Sequence, residues 1–363
     1  MRADADVIVV GGGPVGLATA IRARARGLDV IVVEPRTTPI DKACGEGLLP
    51  GALAALTALG VPGPGAPALE GHDIVGIGYL DGRTRVEHRF AAGLGRGIRR
   101  PVLQAALAER AAGLGADLVE GRLEGLEQDA GGVTILLADG GRLRADWLVA
   151  CDGLHSRVRR LAGLEGRGQP VGARRFGLRR HYEVTPWSDL VEVHWAPHAE
   201  AYVTPVGAGL VGVALLGGRL ERGGRLEGGG DFEDRVAAFP LLADQLQGAR
   251  PAGEVRGAGP LRQRSRARVA GRVLLAGDAA DYVDALTGEG LRIGFAQADA
   301  AIAAIARGEP RSYEAAWSAG TRQMRRLTAG LVAAARSPAR SRIVPVAARH
   351  PRLFGAIVER LAR

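Results

Sequence analysis

DVIVVGGGPVGLATAIRARARGLDVIVVE, residues Asp6 to Glu34, holds two β-branched runs separated by spaced glycines and an Ala/Arg-rich helical pattern. This is one βαβ unit of the length a dinucleotide fingerprint requires. Gly11 permits a tight turn, Gly13 lets backbone approach a pyrophosphate, and Gly16 lets the helix pack closely on the strand, with the helix N-terminus facing the anion. Glu34 follows Gly16 by 18 residues, where a carboxylate can accept hydrogen bonds from ribose hydroxyls. In a chain with 55 glycines the glycine spacing alone says little; the flanking strands, the helix and the acid give it weight.

Working outward, 363 residues with 47% apolar content provide core enough for two domains. Met1 to Asp6 is polar and carries acids, so a secretory leader is not expected, and no apolar run is long enough to span a bilayer. No stable membrane insertion and a cytoplasmic location are the expectations. Two cysteines, Cys44 and Cys151, cannot build a disulfide framework or a CxxC metal cluster, and no metal site is expected. The net charge of +9 comes almost entirely from arginines scattered among acids, with few aromatics between them, so nucleic acid is not expected as a partner. Lys42 is the one lysine in the chain.

After Glu34, residues 37 to 59 (TTPIDKACGEGLLPGALAALTAL) read as a glycine-containing loop running into a helix, near the strand ends where ligands of doubly wound sheets bind. Cys44 reads either as a functional thiol or as a small filler in a packed turn. Residues 60 to 68 read as a connection, and 72 to 90 as a hairpin turning at Asp81-Gly82. Arg99 to Glu120 reads as a helix with Leu103, Leu107 and Leu114 on its apolar face, leading into the short strand ADLVEG, and 132 to 150 as a hairpin turning at Gly140-Gly141. In LVACDGLHSRVRRL (148 to 161) an apolar strand ends at Asp152-Gly153 and Ser156 is placed to cap a helix. In VLLAGDAADYVDALTGEGLRIGFAQADAAIAAIA (273 to 306) a buried strand ends at Gly277-Asp278, and Gly288-Glu289-Gly290 opens a long helix. A strand-end carboxylate and a helix N-terminus are the parts needed to hold a polyol chain and a negatively charged ring edge.

These motifs, in this order, resemble FAD enzymes of the p-hydroxybenzoate hydroxylase type, and the loops KACGEG and LTGEGL resemble the geranylgeranyl reductase branch of that superfamily; the similarity covers roughly residues 5 to 310. The resemblance implies an α/β fold with a Rossmann-like FAD-binding domain (1-67, 97-165 and 263-312), an inserted antiparallel β-sheet substrate domain (68-96 and 166-262) and C-terminal helices (313-363). It also implies that Gly11, Gly13, Pro14, Val15 and Gly16 cradle the pyrophosphate and that Glu34 takes the adenosine ribose. Arg36 and the backbone near Leu123 would meet the adenine, and Arg100 the phosphate or ribityl region. Gly277 and Asp278 would bond the ribityl or pyrophosphate, with Gly288, Gly290 and Leu291 at the flavin edge. Asp152 resembles the family's cofactor-supporting acid, although a structural turn capped by Ser156 explains it equally well. Lys42 and Cys44 are the catalytic candidates, in a loop expected to fold back beside the flavin.

The strands expected in 166 to 262 would roof the flavin ring, with Tyr202, Trp195, Trp187, His181 and His194 as pocket candidates, although alternate strand positions are more often core. NAD(P)H is expected only as a transient electron donor, since the chain has no second fingerprint. The resemblance favours a monooxygenase (hydroxylase or epoxidase) acting on a small apolar or secondary-metabolite substrate. A reductase of isoprenoid-like C=C bonds is the alternative; a halogenase and a flavin-binding protein without turnover stand further back. A reductase or carrier protein is a possible partner. The Arg-rich helices from Tyr313 onward, interrupted by Pro338, Pro345 and Pro351, read either as packing across the two domains or as a surface for a membrane or acidic carrier.

Overall fold

The structure is a computed structural model that describes residues 3–62, 69–166, 174–218 and 231–363. Most of the expected connection at 60 to 68, including the boundary positions 67 and 68, lies outside the described residues.

The β-branched run Ala5–Val10 is the centre of the first sheet. It pairs in parallel with Val30–Glu34 on one side and with Arg142–Ala150 on the other. Asp117–Glu120 and Val273–Leu275 extend the sheet in parallel outward. Burial on both faces explains the unbroken apolar runs, and Val7, Ile8 and Val9 have no exposed surface. The helix Pro14–Arg24 covers one face beside the helix Gly290–Ala306, and the two share the main hydrophobic core. Both expected hairpins form, as Gly76–Leu80 with Arg85–Arg89 and as Gly132–Leu137 with Arg142–Ala150.

The second sheet has seven strands in the order Arg250–Ala258, Phe176–Glu183, Leu210–Gly217, Ala199–Gly207, Leu190–Trp195, Gly76–Leu80, Arg85–Arg89. It is antiparallel except at one seam. Leu190–Trp195 lies parallel to Gly76–Leu80, with Ile77 opposite Val191 and Tyr79 opposite Val193. These two strands come from distant stretches of the chain, so no hairpin dictates their relative direction.

Two expectations about helices are corrected. The helix expected over Arg99 to Glu120 ends earlier, spanning Arg100–Gly113; Gly115, at φ +83°, turns the chain into the expected short strand, which forms as Asp117–Glu120. Pro345 does not interrupt the tail, because it sits in the first turn of the helix Ile343–Arg349, where a missing N–H costs nothing. With Ser312–Ala335 and Pro351–Ala362, that helix packs on the second sheet, placing Met324, Phe354, Val358 and Leu361 in one cluster with Ile77, Val191, Val193 and Trp195. Among the described residues no helix is long and apolar enough to cross a membrane.

Candidate functional site

One cavity of about 870 Å³ runs from the first strand to the second sheet. Its nucleotide end is set by the fingerprint. A side chain at Gly11 (φ +109°) would collide with the Cys151 carbonyl, and a Cβ at Gly16 would lie 1.8 Å from the Gly11 oxygen. A Cβ at Gly13, by contrast, would meet nothing within 4 Å. That open space lies at a helix start with no side-chain cap, where a pyrophosphate would fit. Pro14 and Val15 line the same wall, and Val15 also fits beneath Gly277 and Gly294, where added Cβ atoms would lie 3.2 and 2.4 Å from it.

Glu34 is well placed but engaged. It accepts from the Gly12 N–H at 2.8 Å and takes Arg36 bidentately at 2.7 and 3.2 Å. The half-exposed Arg36 side chain must swing aside before Glu34 can take ribose hydroxyls. Leu123 lines this end. Asp152 receives the Val158 N–H at 3.1 Å on one oxygen, while its other oxygen is shielded from solvent without a partner. Burial pushes its carboxyl above the usual range against the pull of Ser156 and the backbone N–H groups. An orphaned buried acceptor beside the open glycine turn fits a group that brings hydroxyls. Ser156 also caps its helix by accepting from the Arg159 N–H at 2.9 Å, so the structural and cofactor readings of this turn hold together.

Farther along, Gly277, Asp278, Gly288, Gly290 and Leu291 line the wall opposite Arg100. Lys42 Nζ lies 3.5 Å from Asp278 Oδ2, so the single lysine faces the strand-end acid. Cys44 lines the cavity too, and its sulfur accepts weakly from the Glu46 N–H at 3.4 Å and from Arg100 at 3.8 Å. Asp278→Ala should weaken FAD retention by one to two decades, since a lost charge-assisted hydrogen bond costs about 1.5 to 3 kcal/mol; titration of the apoprotein with FAD checks this.

At the far end, Ile77, Tyr79, Val191, Val193, Tyr202 and Leu286 make an apolar wall that Leu361 closes. Of the five aromatic and histidine candidates only Tyr202 lines the cavity, its hydroxyl donating to the Leu286 carbonyl at 3.0 Å. Trp195 packs against Tyr79 with 5.5 Å between ring centroids, and Trp187 and His194 both bond Glu192. His181 is tied to Glu46.

Several contributing residues carry no local signal in the sequence. Gln104 is buried, donating to the Gly12 carbonyl at 3.1 Å and accepting from the Ile40 N–H at 3.2 Å. Gln297 accepts from the Gly277 N–H at 2.7 Å. Arg159 is 1% exposed and bonds the carbonyls of Leu154 and Ala279, joining the turns that carry Asp152 and Asp278.

The FAD binding domain family model matches residues 4–309 of the sequence. The chain belongs to that family. FAD is its cofactor, and the open glycine cradle, the orphaned Asp152 oxygen and the free helix starts fit it. The chain is 33% identical over 308 residues to a rifampicin monooxygenase from Streptomyces venezuelae, covering 81% of this chain and 62% of the relative. It is 30% identical over 182 residues to a menaquinone reductase from Mycolicibacterium smegmatis, covering 45% and 41% of the respective chains. The chain thus spans less than two thirds of these curated relatives. Among solved structures it is similar in fold to the flavin-dependent halogenase CmlS (TM-score 0.79, 22% identity, 90% of this chain and 63% of that one). It is also similar in fold to the myxobacterial chondrochloren halogenase CndH (TM-score 0.78, 19% identity, 92% and 82%).

Proposed function

We propose that this FAD-binding chain is an NAD(P)H- and O₂-dependent monooxygenase acting on an uncharged apolar substrate. The observation that carries the reading is the apolar wall of the second sheet, which completes the same cavity that the glycine cradle opens. FAD, when bound, accepts a hydride from the nicotinamide and in its reduced form activates O₂. The chain binds the cofactor, excludes water and orients the substrate. Burial pushes the Tyr79 hydroxyl up to about 12 and that of Tyr202 well above its ordinary value, so neither phenol brings a charge to the wall.

The charges behind that wall are balanced. Arg175 bonds Glu200 at 2.5 Å and lies 3.4 Å from Asp284, Arg340 bonds Glu200 at 2.6 Å, and Arg179 is paired with Asp41. A carboxylate substrate against that wall would be desolvated beside arginines that are already paired with acids, whereas a neutral ring would not. The FAD-loaded protein should therefore bind 2-naphthol at least about tenfold more tightly than 2-naphthoate, read from flavin absorbance changes. Tighter binding of the acid would refute the charge argument. Turnover is tested separately by anaerobic reduction with NADPH followed by labelled O₂ and candidate substrates. Label in the product supports the reading; stoichiometric H₂O₂ with every candidate opposes it.

The second reading, reduction of a C=C bond, is supported by the partial likeness to a menaquinone reductase and by the CGEG and TGEG wording of the two loops. It predicts anaerobic substrate reduction that consumes one NAD(P)H per double bond without O₂.

A further inference from the structure

Lys42 and Cys44 sit on a loop that the second sheet grips from behind. Arg179 and His181 are alternate residues of Phe176–Glu183 and point to one side, and the irregularity in this strand's pairing with Arg250–Ala258 falls between them. Arg179 gives one Nη to Asp41 and to the Lys42 carbonyl, and the other to His181 Nδ1 at 3.0 Å. A guanidinium can only donate, so Nδ1 must carry its lone pair and Nε2 the hydrogen. That Nε2–H points at Glu46 Oε2, 2.5 Å away, and the other Glu46 oxygen accepts the Arg100 backbone N–H at 2.9 Å, in the first turn of its helix. Glu46 and His181 are 4% and 1% exposed.

Two backbone features accommodate the pair. Glu46 is the one non-glycine residue with positive φ (+59°) among the described residues, a conformation that costs energy unless its surroundings fix it. Gly212 on the adjacent strand leaves the room, since a Cβ there would lie 3.3 Å from Glu46 Oε2 and 3.5 Å from the His181 ring. Thr204 adds a second tie by donating to the Gly45 carbonyl at 2.8 Å.

We propose that Asp41, Arg179, His181 and Glu46 form a buried latch between the substrate sheet and the 41–46 loop, making Arg179 and His181 positioning residues that hold Cys44 and Lys42 in register with the cofactor cavity. The latch is directional. Each donor meets an acceptor only if His181 is the neutral Nε2–H form and Glu46 is ionised, so a near-isosteric change at either end forces a mismatch. In Glu46→Gln one side-chain position becomes a donor facing either the His181 or the Arg100 N–H.

The test is the alkylation rate of Cys44 by iodoacetamide in the FAD-loaded full chain, which does not depend on which reaction the enzyme performs. The other thiol does not interfere, because burial pushes Cys151 up to about 12. His181→Leu, with similar bulk and no donor, should raise the Cys44 rate at least about tenfold, as the loss of a charge-assisted hydrogen bond implies. His181→Gln, whose amide nitrogen reaches the place of Nε2, should return it to within about threefold of the parent protein. Arg180→Ala, which removes an arginine bonded to Glu233 away from the loop, should leave the rate unchanged. If His181→Leu does not fold, Glu46→Gln carries the same expectation. A rate within twofold of the parent in the folded variant, or equal acceleration in His181→Leu and His181→Gln, overturns the latch.

Discussion

Gly16→Ala should give a chain that does not retain FAD and is destabilised by more than about 3 kcal/mol, the range reached when a core position is overpacked without room to relax. The added Cβ would lie 1.8 Å from the Gly11 carbonyl oxygen and 3.3 Å from the Cys151 side chain, and the backbone on one side and the sheet on the other leave it no escape. Gly13→Ala makes the informative contrast. Its Cβ has no protein atom within 4 Å, so the apoprotein should melt like the parent, while FAD affinity falls at least about tenfold because the methyl occupies the pyrophosphate seat. Thermal melts of both apoproteins, with FAD titrations, separate the two outcomes. Unchanged FAD binding by Gly13→Ala would mean that the cradle is not where the phosphates lie.

Glu289 should make the apoprotein less stable as pH rises. Burial pushes its carboxyl from 4.5 to about 7, outweighing the opposing pull of the Arg292 guanidinium bonded to it. Between those two values the unfolded chain has lost this proton and the folded chain still holds it. Unfolding is therefore favoured progressively through pH 4.5 to 7, and the loss is complete above 7. Glu289→Gln removes the effect. Its stability loss between pH 5 and pH 8 should be smaller than the parent's by up to about 3 kcal/mol, read from urea unfolding at the two pH values. Asp152, Asp281 and Asp284 are also raised by burial and act in the same direction, so the parent slope should shrink in the variant without vanishing. Parallel pH dependences in the two proteins would assign the slope to those other acids.

The glycine-lined end of the cavity was legible in the sequence because its parts are local: a strand, a tight turn and a helix start follow one another within a few residues at Gly11 to Gly16 and at Asp152 to Ser156, and a strand end and a helix start lie within one short segment at Gly277 to Leu291. Gln104, Arg159 and His181 were legible only in three dimensions. Their partners Gly12, Ala279 and Glu46 lie 92, 120 and 135 positions away, and no spacing rule connects such pairs. In the sequence His181 reads as a strand residue among aromatic pocket candidates, but its role comes from a loop in which Glu46 takes up a backbone angle usually left to glycine. The interruption expected at Pro345 and the helix expected over Arg99–Glu120 fail for the opposite reason: a proline in the first turn does not break a helix, and the glycine at 115 ends one.

The parallel seam between Gly76–Leu80 and Leu190–Trp195 means that the centre of the proposed substrate wall is drawn from two distant stretches of the gene. Ile77 and Tyr79 come from one stretch of the chain, and their direct neighbours Val191 and Val193 come from another more than a hundred residues later. Recombination that exchanges either block alone would bring together two half-walls that have not been fitted to each other. New specificity in this scaffold should therefore arise by paired change at Ile77 with Val191 and at Tyr79 with Val193, and libraries that vary only the later stretch would leave one side of that seam fixed.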